Sequence, residues 1–277
     1  MLGCANRAVP PAPLPELVAG SAYDEHVAPL RATLARNRIA LDTAPVVTTC
    51  TEHHGVTDCA RCEVASREDT RGIDPDLIDE VAIAFAHYPT NVLMAAKLEH
   101  VALCRTIRYD HPHGLDPLGM AIVDDERLMI SIEHHDGELT LAQIVHHEVF
   151  HLIDHAMLGD KAAADAEWSA LNPRTFAYAD PAPETELRPA GFVNAYATTN
   201  EREDRASVWE YVMGQPEALC EITAADPMVA AKVRLVRARI GRLMGTQRLP
   251  NAHCTPVVKS PMPSPIPLGP RRRMSMR

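Results

Sequence analysis

Residues 145–155 read VHHEVFHLIDH, four histidines, a glutamate and an aspartate set among valine, phenylalanine, leucine and isoleucine. The flanks extend the same period into ELTLAQIVHHEVFHLIDHAML, residues 138–158, which predicts one long helix with Thr140 or a near neighbour as its cap and Gly159 beyond its end. At 100° per residue, His147 and His151 fall one turn apart on one face, and Asp154 projects within about 20° of His147. Leu141, Val145, Val149, Leu152 and Ala156 form a separate stripe suited to a core. Imidazoles at i and i+4 can converge on one Zn²⁺ with bonds of about 2.0–2.1 Å, and Glu148, turned a further 100°, then overlooks the remaining coordination position. The competing account is a core helix whose histidines are hydrogen-bonded and metal-free. It must bury several titratable groups, which costs free energy unless they are paired or coordinated.

A tetrahedral catalytic site needs a third protein ligand and keeps one position for water. The extended motif in which glycine and a third histidine follow on the same stretch is absent, because Asp154 and Met157 stand at those places. The ligand must therefore come from another element. YATTNEREDRASVWEYVM, residues 196–213, reads as a helix entered from Asn200, with Val208, Trp209, Tyr211 and Val212 available for packing and Glu203 and Asp204 as candidate donors. Both have plainer roles too: Asn200 and Glu203 have capping-box spacing, and Asp204 suits the positive end of a helix dipole.

HExxH followed some fifty residues later by tyrosine, six residues and glutamate at a helix start resembles the gluzincin metallopeptidases. HEVFHLID (147–154) and YATTNERED (196–204) match the catalytic domain of anthrax lethal factor and its relatives. Pro-Pro endopeptidases have a similar spacing, and GFVNAYA upstream is consistent with bacterial zinc-binding peptidases. The resemblance spans residues 71–245. It implies a zincin-like catalytic domain, one catalytic Zn²⁺ on His147, His151 and Glu203, Glu148 as general base, and Tyr196 as oxyanion stabiliser. The family often carries an acidic residue one turn after the third ligand; this chain has Ser207 there. Asp154 or Asp204 is then the candidate outer carboxylate that receives the other N–H of a ligating histidine. The implied activity is a metalloendopeptidase acting on a peptide or protein. The alternatives are an inactive scaffold of the same fold used for binding or display, and a protein whose functional zinc lies at residues 50–62.

That last stretch, CTEHHGVTDCARC, has Cys50, Cys59, Cys62, His53 and His54 in metal-ligand proximity, but a single Cys-x-x-Cys is weak for zinc, and disulfides or free thiols are the preferred expectation. Elsewhere, Ala22 to Arg36 is helical by its Val27, Leu30, Leu34 spacing, and Asp74 with Pro75 starts a helix running to about His87. Asn91 to Glu99 and Met228 to Leu243 read as further helices. VALCRTIRY, GMAIV and RLMISIEH are β-prone, with a turn at Asp124–Glu126 between the last two. Arg127 to His134 is expected to be the edge strand that aligns substrate, with His134 and His135 on the surface.

The expected class is α+β: a small mixed sheet, an active-site helix and a mostly helical C-terminal half. The expected divisions are a Pro-rich leader (1–20), an N-terminal helix with the Cys/His loop (21–70), the catalytic domain (71–245) and a Pro/Arg-rich tail (246–277). A formal charge of −10 argues against nucleic-acid partners, which need a basic patch, and no apolar run is long enough to span a bilayer. MLGC at the N-terminus has the pattern of a lipid-anchor site at Cys4, without an apolar stretch before it. Without Cys4 the cysteines number six, an even count that suits an oxidising compartment. Compartment stays open between the envelope or exterior and the cytoplasm.

Overall fold

Helix α1 (Gly20–Arg36) leads into three short strands, β1 (Ala40–Asp42), β2 (Val46–Val47) and β3 (Thr51–His53), then β4 (Val56–Asp58) and β5 (Ala60–Val64). Helices α2 (Pro75–Ala86) and α3 (Thr90–Ala95) precede strands β6 (His100–Tyr109), β7 (Gly119–Ile122) and β8 (Arg127–Ser131). The rest is helical: α4 (Leu141–Leu158), α5 (Ala166–Ser169), α6 (Glu201–Gly214), α7 (Pro216–Ala225) and α8 (Pro227–Met244). The structure, a computed structural model, describes residues 20–48, 51–53, 56–65, 73–109, 116–132, 139–179 and 188–244. The expectations for the Pro-rich leader and tail, Cys4, Cys50, His54, His134, His135 and Cys254 lie outside these residues.

The architecture is α+β, with a mixed sheet and helices on one of its faces. The ten-residue β6 is the spine of the sheet. It pairs in parallel with β8 on one side, and on the other with β1 in parallel and β5 antiparallel. Strand β7 pairs antiparallel with β8 and ends that side of the order β2-β5-β6-β8-β7. The expectation that Arg127–His134 forms the edge is therefore corrected: β8 has a partner on both sides, and the edge is β7. The sequence carries the reason, because Leu128, Met129 and Ile130 are consecutive and fully buried, as a strand covered on both faces requires.

Side chains alternate across the sheet. Val101, Leu103, Leu128 and Ile130 join the helix-side core, whereas Ala102, Cys104, Met129 and Cys62 form a smaller cluster on the other face. A Cys62–Cys104 disulfide ties β5 to β6 within that cluster. Val27, Leu30 and Leu34 of α1 lie in the same core as Ile78, Val81 and Phe85 of α2. A division at residue 70 thus separates elements that share one interior.

Local signals set the helix that matters most. Thr140 accepts from the Gln143 N–H while Gln143 Oε1 accepts from the Thr140 N–H, a reciprocal cap at the start of α4. The cap of α2 is likewise as expected, with Asp74 accepting from the Asp76 N–H and Pro75 in the first turn. The anticipated stripe on α4 is buried at Leu141, Val145, Val149 and Leu152 but exposed at Ala156. Ile144, Phe150 and Ile153 are buried as well, because α4 runs between the sheet and α6 and is covered on most of its girth until its last turn. Helix α7 was not expected; Pro216 starts it one residue after α6 ends, with Gln215 as the cap shared by both helices.

Candidate metal centre

The paired histidines at 146 and 147 point to different places. His146 Nδ1 lies 3.0 Å from the Tyr88 hydroxyl, which accepts from Trp209 Nε1–H at 3.1 Å. Burial holds its pKa down to about 3, so it is a neutral, structural core histidine. The metal-free account thus describes His146 correctly.

His147 sits between two carboxylates. Glu203 Oε2 lies 2.9 Å from its Nε2 and Glu210 Oε2 lies 3.2 Å from its Nδ1. A neutral imidazole has one donor and one acceptor, so it satisfies only one of these oxygens. The other contact needs a second proton or a cation between the groups. Burial alone would lower the pKa of His147, but Glu203, Glu210 and Glu148 outweigh it and raise it to about 10. Glu203 is held far below the usual carboxylate range despite its burial, because the His151 and His147 rings face it.

His151 Nε2 lies 3.4 Å from the same Glu203 oxygen, and the two imidazoles are edge to face with centroids 4.9 Å apart. One donor atom from each of His147, His151 and Glu203 lies within 4.8 Å of the other two. Ligands at 2.0–2.1 Å on a tetrahedral zinc are about 3.3–3.4 Å apart. The His151–Glu203 pair has that spacing, whereas His147 and Glu203 stand at the shorter hydrogen-bond distance and would move apart by a few tenths of an ångström around an ion. The donor set is also chemically suitable, with two borderline nitrogens and one oxygen.

The N-terminus of α6 presents Glu203 because Asn200 caps it, accepting from the backbone N–H groups of Arg202 and Glu203. The same residue at 203 therefore takes part in the capped turn and in the cluster. Glu148 is half-buried and faces the same cleft, with the Ala121 backbone N–H of β7 donating to its carboxyl. Burial raises its proton affinity against the lowering effect of the two histidines. Tyr196 begins a short 3₁₀ turn, is half exposed, and sets its ring 5.8 Å from the His147 ring. A cleft of about 860 Å³ joins Glu148, His151, Tyr196 and Glu203 to the backbone of β7.

The outer carboxylate differs from expectation. Asp154 accepts from Arg205, at 3.0 Å from Nε and 2.8 Å from Nη2, and both side chains are buried. Asp204 Oδ2 accepts from Lys232, Trp168 and Tyr178. Neither carboxylate reaches a histidine of the cluster in these contacts. The hydrogen bond to His147 Nδ1 goes instead to Glu210, two turns along α6 from Glu203, whose other oxygen accepts from Gln143 Nε2 at 3.3 Å. The spacing of seven residues was the available signal, since it returns a helix to the same face.

Cys62 is bonded to Cys104 and Cys59 is disulfide-bonded as well, so neither sulfur offers a thiolate to zinc at residues 50–62. Among the described residues His26, Asp76 and Asp79 also lie close together, but His26 is already paired with Asp79 at 2.7 Å, near the surface. No described helix is long and apolar enough to cross a membrane. Comparison with protein-family models, with curated proteins and with solved structures found no match.

Proposed function

We propose that the chain is a zinc-dependent metalloendopeptidase with a zincin-like catalytic domain of the gluzincin type. The observation that carries this reading is the meeting of His147, His151 and Glu203 donor atoms at the wall of a cleft that His151, Glu203 and Glu148 line. His147, His151 and Glu203 would hold the ion. When bound, Zn²⁺ supplies a Lewis acid and lowers the pKa of a water in the cleft toward about 7.

The remaining roles belong to the chain. Glu148, with its raised proton affinity, accepts a proton from the attacking water and passes it to the departing amine. Tyr196, which lines the same cleft, donates its hydroxyl hydrogen to the oxygen that gains charge. Glu210 keeps the His147 Nδ1–H engaged and so directs Nε2 toward Glu203. The substrate is an extended peptide laid along β7. Leu118 O accepts from the Ser131 N–H, so in this register the backbone groups of Gly119 and Ala121 point away from β8, toward the open side. The Ala121 N–H is engaged by Glu148, and the Gly119 groups and the Ala121 C=O on the side away from β8 are those with which an extended peptide would pair.

Metal analysis and a peptide-library digest of the purified protein test this reading. The expected result is close to one zinc per chain and hydrolysis that Glu148→Gln abolishes while zinc content stays the same. A second reading has His147 as an imidazolium clamped by Glu203 and Glu210 in a scaffold that binds but does not cut. Absence of zinc from the wild-type protein, with no hydrolysis after zinc is added, selects it.

A further inference from the structure

Strand β7 approaches α4 more closely than a side chain permits. A Cβ built on Gly119 meets Ile144 Cγ2 at 2.6 Å and Glu148 Cγ at 2.7 Å, with Glu148 Oε1 at 3.2 Å. Gly119 does not have a positive φ, so it is steric room and not backbone freedom that calls for glycine here. Ile144 and Glu148 are one turn apart on α4, and the bare Cα lies over the space between them. The strand is fixed in place by its pairing with β8, from Gly119 opposite Ile130 to Ile122 opposite Arg127.

We infer that Gly119 is a positioning residue for Glu148, its missing side chain setting where the carboxylate stands relative to His147, His151 and Glu203. This rests on the peptidase reading of the same site. Glu148 is confined on one side by the backbone of Gly119 and is held at its tip by the Ala121 N–H, both from the edge strand. A methyl group at 119 must push either the strand or the Glu148 side chain away by about 1 Å to reach ordinary contact distance. Misplacement of a reacting group by that amount costs on the order of 10²-fold in rate.

The test is a double-mutant cycle of Gly119→Ala and Glu148→Gln in the zinc-loaded full chain. The probe is a peptidyl hydroxamate, which chelates the ion and hydrogen-bonds the adjacent carboxylate, and its affinity is read by calorimetry. Gly119→Ala is expected to weaken binding at least ~10-fold in the wild-type background and to have little effect in the Glu148→Gln background, the non-additivity of residues that act as a unit. Peptide hydrolysis should show the loss in kcat with KM changed by less than about threefold. Unchanged hydroxamate binding in Gly119→Ala, or a loss that adds in full to that of Glu148→Gln, overturns the proposal. If Gly119→Ala folds poorly, Ile144→Leu added to it removes the contact with Cγ2 and keeps the one with Glu148; wild-type affinity in that double variant also overturns it. A wild-type protein that takes up neither zinc nor hydroxamate overturns the peptidase reading, and this inference with it, an outcome distinct from normal wild-type binding with additive variants.

Discussion

Glu210 shows how a single side chain can govern a site from outside it. It is buried, it receives Gln143 Nε2–H on one oxygen, and its other oxygen lies 3.2 Å from His147 Nδ1. Gln143 is also the residue that closes the reciprocal cap of α4, so the helix start and the histidine orientation are joined by one chain of hydrogen bonds. Glu210→Gln keeps the shape and removes the charge. It is expected to weaken zinc affinity by about 10–100-fold, measured by competition with a chromophoric chelator. His147, Glu148 and His151 were legible as a set because a helical period fixes their relative directions. Glu210 was not, because which face of α6 turns toward α4 depends on the crossing of two helices. Ser207, one turn after Glu203, is fully buried, and its Oγ has no hydrogen-bond partner among the described residues.

At the scale of elements, α4 and α6 are joined by the buried Asp154–Arg205 pair as well as by the cluster. Arg205 also donates to Ala162 O, binding the turn after α4 to the same helix. Removing one member of such a pair costs up to about 3–5 kcal/mol. Asp165 and Glu201, 3.7 and 3.8 Å from Arg205 Nη1, keep part of the counter-charge and place the loss of Asp154 toward the low end. Asp154→Ala should therefore lower stability by that order in denaturant titration, while zinc stoichiometry remains as in the wild type. Loss of zinc from a folded Asp154→Ala protein would return this carboxylate to the metal site. Sequence period located α2, α4, α6 and α8 to within a few residues, since each carries a cap or a proline near its start. It did not give the strand order. Pairing between distant segments is decided by which strand can be covered on both faces, and the short, half-buried run at Gly119–Ile122 is suited to an edge.

Across the whole molecule, two apolar layers enclose the sheet. The larger holds the helices, and the smaller is stapled by Cys62–Cys104, which closes 42 residues of chain including α2 and α3. Loop-closure entropy for a separation of that size is worth about 4 kcal/mol in the chain-entropy model. Cys62→Ala with Cys104→Ala is expected to lower stability by about 2–4 kcal/mol in equilibrium unfolding. The α+β class was readable from the alternation of periods along the chain, whereas α1 and the first strands looked separable because nothing local reveals that their apolar residues enter the common interior.

The donors of the cluster come from α4 and α6, far apart along the chain at His151 and Glu203. An unfolded chain rarely brings them together, so an ion held there favours the native state over all others. Its occupancy would act as a thermodynamic ballast: with free zinc well above the dissociation constant, every tenfold rise in its concentration would deepen the native well by about 1.4 kcal/mol.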